Sequence, residues 1–285
     1  MLGAAAAALF FGLQGGGKAA KRSAPPGRRV IINVSKSAPS THKASVIRRL
    51  SLPAALPSRT LRVPILMYHR IDVLRPSLPA ITRSLTVAPA DFAAQMRWLK
   101  AHRYHAVTQL QLFDALERGR KLPPKPVVIT FDDGYRDVLF NAAPLLRRLR
   151  MPATAYVITD RISGSDVSFL SWAMLHALEQ DGVEIGSHTV SHAEIPTLTD
   201  PTALRELIQS RHALELHLHH PVQWFAYPAG KFDAHSEQLV HQAGYVLAVT
   251  TQPGSAQDAR LPFALHRYEV LDTTGVAGLA SMLRA

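Results

Sequence analysis

The chain of 285 residues is long enough for one large domain or two small ones, each with a buried core. It contains no cysteine, which excludes a disulfide framework, a thiolate metal site and a cysteine nucleophile. Its formal net charge of +11 is concentrated in residues 1–60, which hold ten Lys or Arg and no Asp or Glu, whereas residues 61–285 hold 22 basic and 21 acidic residues. The larger part is close to neutral, so a basic groove for nucleic acid is not expected.

The N-terminal segment differs in composition from the rest. Residues 1–13 are apolar, too few to span a bilayer, and typical of the apolar region of a signal peptide, although no basic residue precedes them. An export signal, a mis-assigned start, a membrane anchor and a tail without function remain open. The region from residue 18 to 60 is rich in Ser, Ala, Pro and basic residues, which predicts a disordered linker. One folded domain is therefore placed at 61–285.

Predicted strands and helices alternate along this domain. An apolar strand at 63–68 ends at His69, and a helix follows in which Asp91 is the expected N-cap. A second helix is predicted from Thr108 to a closing Gly119. The later strands are predicted at 127–131, 153–158, 183–187, 222–226, 245–250 and 265–270, and the later helices at 139–149, 169–178, 201–217 and 236–242.

This alternation with short connections is typical of a parallel sheet wrapped by helices. Polar residues of the kind that carry chemistry fall where strands end, at His69, Asp132, Asp133 and His188. In a (β/α) barrel the C-terminal ends of the strands form the catalytic face. The sequence therefore predicts an α/β fold, a (β/α) barrel that is incomplete, with about seven strands.

Two adjacent carboxylates, Asp132 and Asp133, follow the buried strand at 127–131, and Gly134 comes next. Two acidic side chains side by side at the end of a core strand are costly in desolvation and mutual repulsion. A metal ion would relieve that cost, with one carboxylate as ligand and the other as base. An ordinary Asp-Asp-Gly turn is the alternative.

Two further strand ends carry a pattern. His188 and His192 are four residues apart, a spacing that on a helical turn places both imidazoles on one face, able to bind one metal ion. A solvated pair on a loop is the alternative in a chain with 14 histidines. The segment FAYPAG at 225–230 is either a simple turn or a loop that presents a backbone N–H to a developing oxyanion.

The segments TFDDG at 130–134, SHTVSH at 187–192 and FAYPAG at 225–230 resemble, in order and spacing, the first three motifs of the polysaccharide deacetylases. These form carbohydrate esterase family 4, which includes the nodulation-type chitooligosaccharide deacetylases. The similarity runs over residues 62–270. PILMYHR at 64–70 and HRYEV at 266–270 resemble the branch that acts on poly-N-acetylglucosamine.

This resemblance implies roles for particular residues. Asp133, His188 and His192 would bind a divalent metal, most often zinc, with cobalt, nickel and manganese as alternatives. Asp132 would be the general base that takes a proton from the attacking water. The resemblance also implies an oxyanion and substrate surface, formed by the backbone N–H of Ala229 and by Tyr135, Tyr227 and Pro228.

The chain departs from the family pattern at two places. The third motif usually begins with an arginine that orients the base, and here that position is Ala226; Arg267 is the candidate substitute. The general acid is a histidine, for which His69 and His266 compete. His69 is favoured because its position matches the branch in which the acid stands at the front of the domain.

The expected activity is hydrolysis of N-acetyl groups from a polysaccharide of N-acetylhexosamine units, of the poly-N-acetylglucosamine, chitin or peptidoglycan type, with release of acetate. An O-acetyl esterase, another C–N hydrolase of the same fold, and a catalytically inactive glycan-binding module are the alternatives. Export to the periplasm or cell envelope is expected, with a cytoplasmic location as the alternative. Nucleic acid is not an expected partner, and the sequence leaves the oligomeric state open.

Overall fold

The structure is a computed structural model that describes residues 48–162 and 166–284. The expected export signal and most of the predicted basic linker fall within residues 1–47, outside the described residues. The described residues all belong to one compact unit. Every helix among the described residues is too short or too polar to cross a bilayer.

The described residues form twelve strands and eight α-helices. The strands are β1 (Thr60–Arg62), β2 (Ile65–Tyr68), β3 (Arg70–Ile71), β4 (Thr86–Val87), β5 (His105–Ala106), β6 (Pro126–Phe131), β7 (Ala153–Val157), β8 (Val183–Ser187), β9 (Trp224–Ala226), β10 (Leu247–Val249), β11 (Ala256–Asp258) and β12 (Tyr268–Glu269). The helices are α1 (Ala80–Ser84), α2 (Pro89–Ala101), α3 (Gln109–Arg118), α4 (Ala143–Leu149), α5 (Trp172–Gln180), α6 (Asp200–Leu218), α7 (Ala234–Gln242) and α8 (Gly275–Arg284).

Seven strands form the main sheet in the order β10–β9–β8–β7–β6–β2–β12, and each neighbouring pair is parallel. The short β5 pairs with the start of β6, and Leu265 forms a parallel bridge with Val249 of β10. The sheet curls into an incomplete barrel with helices outside it. This confirms the predicted (β/α) fold with about seven strands.

Side chains of β6 show how the strands are buried on both faces. Alternate residues up to Phe131 belong to a core cluster shared with helices α2, α4 and α5. Val128 belongs to a second cluster that includes residues of α3. Because side chains alternate along a strand, Thr130 and Asp132 lie on the same side as Val128, the inside of the barrel. The strand pattern thus directs the first carboxylate inward.

The strand ends gather the polar residues as expected. His69 follows β2, Asp132 follows β6 and His188 follows β8, and these strands run in the same direction in one sheet. Backbone bonds continue the ladder past the strand ends, since Asp132 N–H donates to Tyr68 O at 2.9 Å and His188 N–H donates to Val157 O at 2.9 Å. These residues therefore stand on one rim of the barrel.

Helix ends were predicted with mixed success. Thr108 forms a capping box with Gln111, and α3 ends at Gly119 with φ 70°, as the sequence indicates. Helix α2 instead begins at Pro89 after Ala88, so the prediction that Asp91 is the N-cap is wrong. The helix starts earlier because Pro89 already has the fixed φ of a first helical residue. Asp91 therefore lies in the first turn, where its negative charge interacts favourably with the helix dipole.

Two segments outside the predicted elements complete the domain. Helix α8 was not predicted. It is joined to α2 by a hydrogen bond of 3.2 Å that the Gln95 side-chain amide donates to the carbonyl of Gly275, the first residue of α8. At the other end, Leu50 and Leu52 pack against the core, and Arg59 donates to Ala115 O at 3.0 Å. The compact unit thus begins before residue 61, with residues 48–60 lying against it.

Candidate active site

Asp132 is buried inside the barrel and is held by a single arginine. Arg267 Nη1 donates to Asp132 Oδ1 at 2.8 Å, and Nη2 donates to Oδ2 at 2.7 Å. Burial alone would raise the pKa of Asp132, but the charge and hydrogen bonds of Arg267 lower it to about 2. The carboxylate is therefore ionised and fixed in orientation by a two-pronged pair.

Arg267 is itself fully buried, and each nitrogen of its guanidinium donates at least one hydrogen bond. Its Nε donates to Thr250 O at 2.8 Å and Nη1 also reaches Thr130 Oγ1 at 3.2 Å. It immediately precedes β12 and reaches Asp132, beyond the end of β6. Arg267 thus makes the contact that the sequence analysis assigned to a substitute for the missing arginine at Ala226.

Asp133 turns away from Asp132 toward two histidines. Its backbone has φ 72°, in the left-handed region, so the side chains of the two adjacent residues leave the chain in different directions. Asp133 Oδ1 lies 3.5 Å from His188 Nε2 and 3.5 Å from His192 Nε2. Burial first, and then the charge of Asp132, raises the pKa of Asp133 to about 7.

The two histidines lie on a loop, not on the expected helical turn. Thr189 and His192 have φ 65° and 67°, which breaks any helical run between them. The alternative of a solvated pair does not fit either, because His188 is 2 % exposed. Burial lowers the pKa of His188 to about 4, so its imidazole is neutral near pH 7.

Asp133, His188 and His192 fit a metal ion by distance and by donor chemistry. Their ligand atoms all lie within 4.8 Å of one another. Ligands about 2.0–2.1 Å from a tetrahedral ion stand about 3.3 Å apart, close to the 3.5 Å from each Nε2 to the shared carboxylate oxygen. His188 Nδ1 lies 2.8 Å from Ala226 O and is the donor there in the neutral ring, which leaves Nε2 as a free acceptor.

The FAYPAG loop forms a tight turn beside this cluster. Ala229 has φ 52° and Gly230 has φ 65°. A Cβ on Gly230 would stand 2.0 Å from Thr251 Oγ1, so only glycine fits at this position. Tyr227 differs from expectation: it is fully buried, and its ring packs on Phe225 and Phe232. The Tyr227 ring is therefore part of the core, not of a substrate surface.

His69 and His266 occupy different surroundings. The His69 Nδ1 atom is buried and has no hydrogen-bond partner among the described residues. Burial lowers the pKa of His69 to about 4, and the charge of Asp132 opposes that shift. His266 is bonded through its backbone to Gln257, its ring lies against Gly254, and no hydrogen bond among the described residues joins that ring to Asp132.

Tyr135 lies on the rim of the cluster and forms part of an aromatic pair. Its ring stacks on Phe169 with 4.8 Å between centroids, and the Arg70 guanidinium lies 4.7 Å from its centroid. Burial, followed by the charge of Asp133, raises the pKa of Tyr135 to about 12. The sequence analysis missed Phe169, because that residue was assigned to a helix that in fact starts at Trp172.

Comparison with known proteins places the chain in a family. The family model described as polysaccharide deacetylase matches residues 119–248. The protein YxkH of Bacillus subtilis strain 168, which carries that family name, is 32% identical over 219 residues, covering 77% of this chain and 74% of that protein. The poly-beta-1,6-N-acetyl-D-glucosamine N-deacetylase of Staphylococcus epidermidis is 25% identical over 232 residues, covering 73% of this chain and 80% of the enzyme.

A solved structure agrees with the sequence relatives. The deacetylase PplD of Streptococcus pyogenes, in complex with acetate, superposes with a TM-score of 0.73 at 26% identity and covers 79% of this chain and 99% of that chain. The incomplete parallel barrel is thus shared with a deacetylase over nearly the whole length of that protein. This chain belongs to the polysaccharide deacetylase family, a family of hydrolases.

Proposed function

We propose that this protein is a metal-dependent hydrolase that removes N-acetyl groups from a polysaccharide of N-acetylhexosamine units and releases acetate. The observation that carries the proposal is the division of labour between two adjacent carboxylates. Asp132 is bound by Arg267, and Asp133 faces His188 and His192. A base held next to a three-ligand set is what hydrolysis of an acetamide requires.

Asp133, His188 and His192 are proposed as the ligands of a zinc ion, with cobalt, nickel or manganese as alternatives. Bound there, the ion would supply a Lewis acid that acidifies water and polarises the acetamide carbonyl. Two imidazole nitrogens and one carboxylate oxygen suit zinc, and three protein ligands leave a coordination position open. This ligand set matches the one that the sequence resemblance implies.

The remaining roles are proposed for side chains and a backbone amide around this ligand set. Asp132 takes a proton from the water whose oxygen attacks the acetyl carbon, and Arg267 holds its carboxylate in line. His69 gives a proton to the nitrogen as the C–N bond breaks, so that acetate and a free amine leave. The backbone N–H of Ala229 is proposed to donate to the developing oxyanion, and Tyr135 to face the substrate. Pro228 is buried, so its proposed part is to shape the loop that presents Ala229.

The substrate class rests on similarity. The Staphylococcus epidermidis relative is a poly-beta-1,6-N-acetyl-D-glucosamine N-deacetylase, and the PILMYHR and HRYEV segments resemble that branch. We therefore propose poly-N-acetylglucosamine before chitin or peptidoglycan. Ester hydrolysis uses the same water and base, so O-acetylated xylan is the competing substrate. A glycan-binding module without catalysis has no need of the buried Asp132–Arg267 pair, which speaks against that alternative.

The test is acetate release from β-1,6- and β-1,4-linked N-acetylglucosamine oligomers and from O-acetylated xylan oligomers. The metal-depleted protein and the protein reloaded with zinc or cobalt are compared side by side. We expect acetate only from the reloaded protein and most from the β-1,6 series. Bound metal without acetate from any glycan would refute the hydrolase, and release from xylan alone would replace the amide substrate by an ester.

Export is the proposed location, because the substrate class is an extracellular or envelope polymer and the first 13 residues suit a signal. Fractionation of cells that produce the full chain tests this: recovery in the cytoplasm alone contradicts it. Association of the N-terminal segment with a membrane is the further alternative that the same fractions address.

A further inference from the structure

We infer that Glu206 of helix α6 is a positioning residue that holds the loop between His188 and His192 in its metal-binding shape. Its carboxylate accepts three hydrogen bonds from that loop. Oε2 accepts from Val190 N–H and from Ser191 N–H, both at 2.9 Å, and Oε1 accepts from the Ser191 hydroxyl at 3.0 Å. The inference rests on the proposed function, because it assigns Glu206 to the same metal site.

The loop needs such support because its backbone is strained. Thr189 and His192 both have φ in the left-handed region, which a β-branched residue such as Thr189 rarely adopts. Conformations of this kind persist only where the surroundings fix them. Thr189 is fully buried and its Oγ1 has no hydrogen-bond partner among the described residues, so its side chain gives no polar support.

The loop is bonded from two sides. On one side, the N–H of Thr159 donates to Thr189 O at 3.2 Å, and the N–H of Asp160 donates to Val190 O at 3.0 Å. On the other side, the Glu206 carboxylate accepts from the amides of Val190 and Ser191. The carbonyls of Thr189 and Val190 are thus bonded by backbone amides, whereas the amides of Val190 and Ser191 both depend on the Glu206 side chain.

Helix α6 supports the strand end as well as the loop. Ser210, one turn after Glu206, bonds its hydroxyl to the Ser187 hydroxyl at 2.8 Å. Residues four apart on a helix share a face, so α6 contacts the chain on both sides of His188. Substituting the group that bonds the loop should therefore move the two imidazoles relative to Asp133, which comes from a different strand end.

The experiment measures zinc affinity of metal-depleted protein by competition with a chromophoric chelator, and records the visible spectrum of the cobalt form. Glu206→Ala should weaken zinc binding about 10- to 100-fold, the usual loss when a partner that orients ligands is removed. Its cobalt spectrum should change as the ligand geometry changes. Wild-type zinc affinity with an unchanged cobalt spectrum would overturn the inference.

Glu215→Ala is the matched control on the same helix. Glu215 also accepts from a loop amide, that of Val222 at 3.1 Å, and pairs with Arg49 at 3.0 Å, but that loop carries no proposed ligand. Both variants should lower the melting temperature of the metal-free protein. Only the Glu206 variant should lose zinc affinity, and equal loss in both would reduce Glu206 to a general support of α6.

Two conservative variants keep the test decisive where Glu206→Ala is insoluble. Glu206→Gln keeps an oxygen at the same reach and should bind zinc nearly as the unaltered protein does. Glu206→Asp keeps the charge but is one methylene shorter, and should lose affinity as the alanine variant does. The reverse order would show that charge, not position, matters, and would overturn the inference.

The outcome for the proposed function is separate. An unaltered protein that binds zinc but releases no acetate would refute the hydrolase and leave the role of Glu206 standing. An unaltered protein that binds no zinc would refute both.

Discussion

The barrel interior holds a carboxylate at each end, fully buried at the C-terminal end and half-buried at the N-terminal end, and the two are bound in different ways. At the C-terminal end Asp132 is paired with Arg267 and its pKa is lowered to about 2. At the N-terminal end Glu184 accepts from Gln109 N–H at 2.7 Å and from the Thr154 hydroxyl at 3.3 Å, and no ion pair among the described residues joins it to a basic side chain. Burial raises the pKa of Glu184 to about 7.

The difference shows that burial alone does not keep a carboxylate ionised, as a general base must be before it accepts a proton. A buried carboxylate without a cation favours its protonated form, whereas the same group beside a guanidinium stays ionised. Glu184 lies near the start of β8, whereas Asp132 directly follows the end of β6. The barrel thus uses one end for structure and supplies a counter-charge only where an ionised carboxylate is needed.

Removing the base should have the largest effect. Asp132→Asn keeps the shape of the side chain but cannot accept a proton, so kcat for deacetylation should fall about 10⁴-fold, the upper range for a positioned general base. Zinc affinity should change little, because Asp133 and not Asp132 faces the histidines. Steady-state kinetics and chelator competition measure the two quantities. Unaltered function in the producing cell would favour the glycan-binding alternative.

Removing the counter-charge should leave Asp132, at the C-terminal end of the barrel, without a basic partner, as Glu184 is at the N-terminal end. Arg267→Met leaves Asp132 buried without a partner, which should cost about 3–5 kcal/mol in the free energy of unfolding. Denaturant unfolding of the metal-free protein measures this loss.

Arg260→Met is the matched control for that variant, because Arg260 also forms a two-pronged bond, to Asp258, but on the surface. Solvent screens an exposed pair of this kind, so its loss should change stability little. Equal losses in the two variants would contradict the view that the buried pair carries special weight.

The histidine beside Asp132 should matter more than the one apart from it. His69→Gln should lower kcat about 10²-fold, the lower range for a general acid. The reason is that, against the lowering by burial, the charge of Asp132 raises the pKa of His69, which favours a ring that can carry a proton. His266→Gln should leave kcat near the unaltered value, since its backbone bonds to Gln257 remain. Rates measured on the same oligomer decide, and the opposite order would assign the acid to His266.

Sequence patterns predicted what depends on local order. The position of two carboxylates after a buried strand was predicted from the apolar run that precedes them, and the parallel sheet from the alternation of strands and helices. The left-handed backbone at Thr189 and His192 could not be predicted, because it depends on tertiary hydrogen bonds that the loop receives from Thr159 and donates to Glu206, against local preference.

Arg267 was proposed from its neighbours in the HRYEV segment, but its pairing could not be derived from spacing. It lies 135 positions from Asp132 along the chain, and the two meet only because β12 pairs with β2 beside β6. Helix α8 was not predicted. The Tyr227 ring was assigned to the substrate surface because the motif pattern does not distinguish a loop residue that faces solvent from one that faces the core.

The smallest predicted effect is the pH dependence of stability that Glu184 causes at the N-terminal end of the barrel, and its sign is definite. Because the pKa of Glu184 is raised from 4.5 to about 7, the folded state binds more protons than the unfolded state between those values. Stability should therefore fall as pH rises from about 4.5 to about 7. Glu184→Gln mimics the protonated form and should flatten this part of the pH profile, while its oxygen still accepts from the start of α3. Denaturant unfolding of both proteins at several pH values measures the slope. An equal slope in the two proteins would show that folding does not raise the pKa of Glu184.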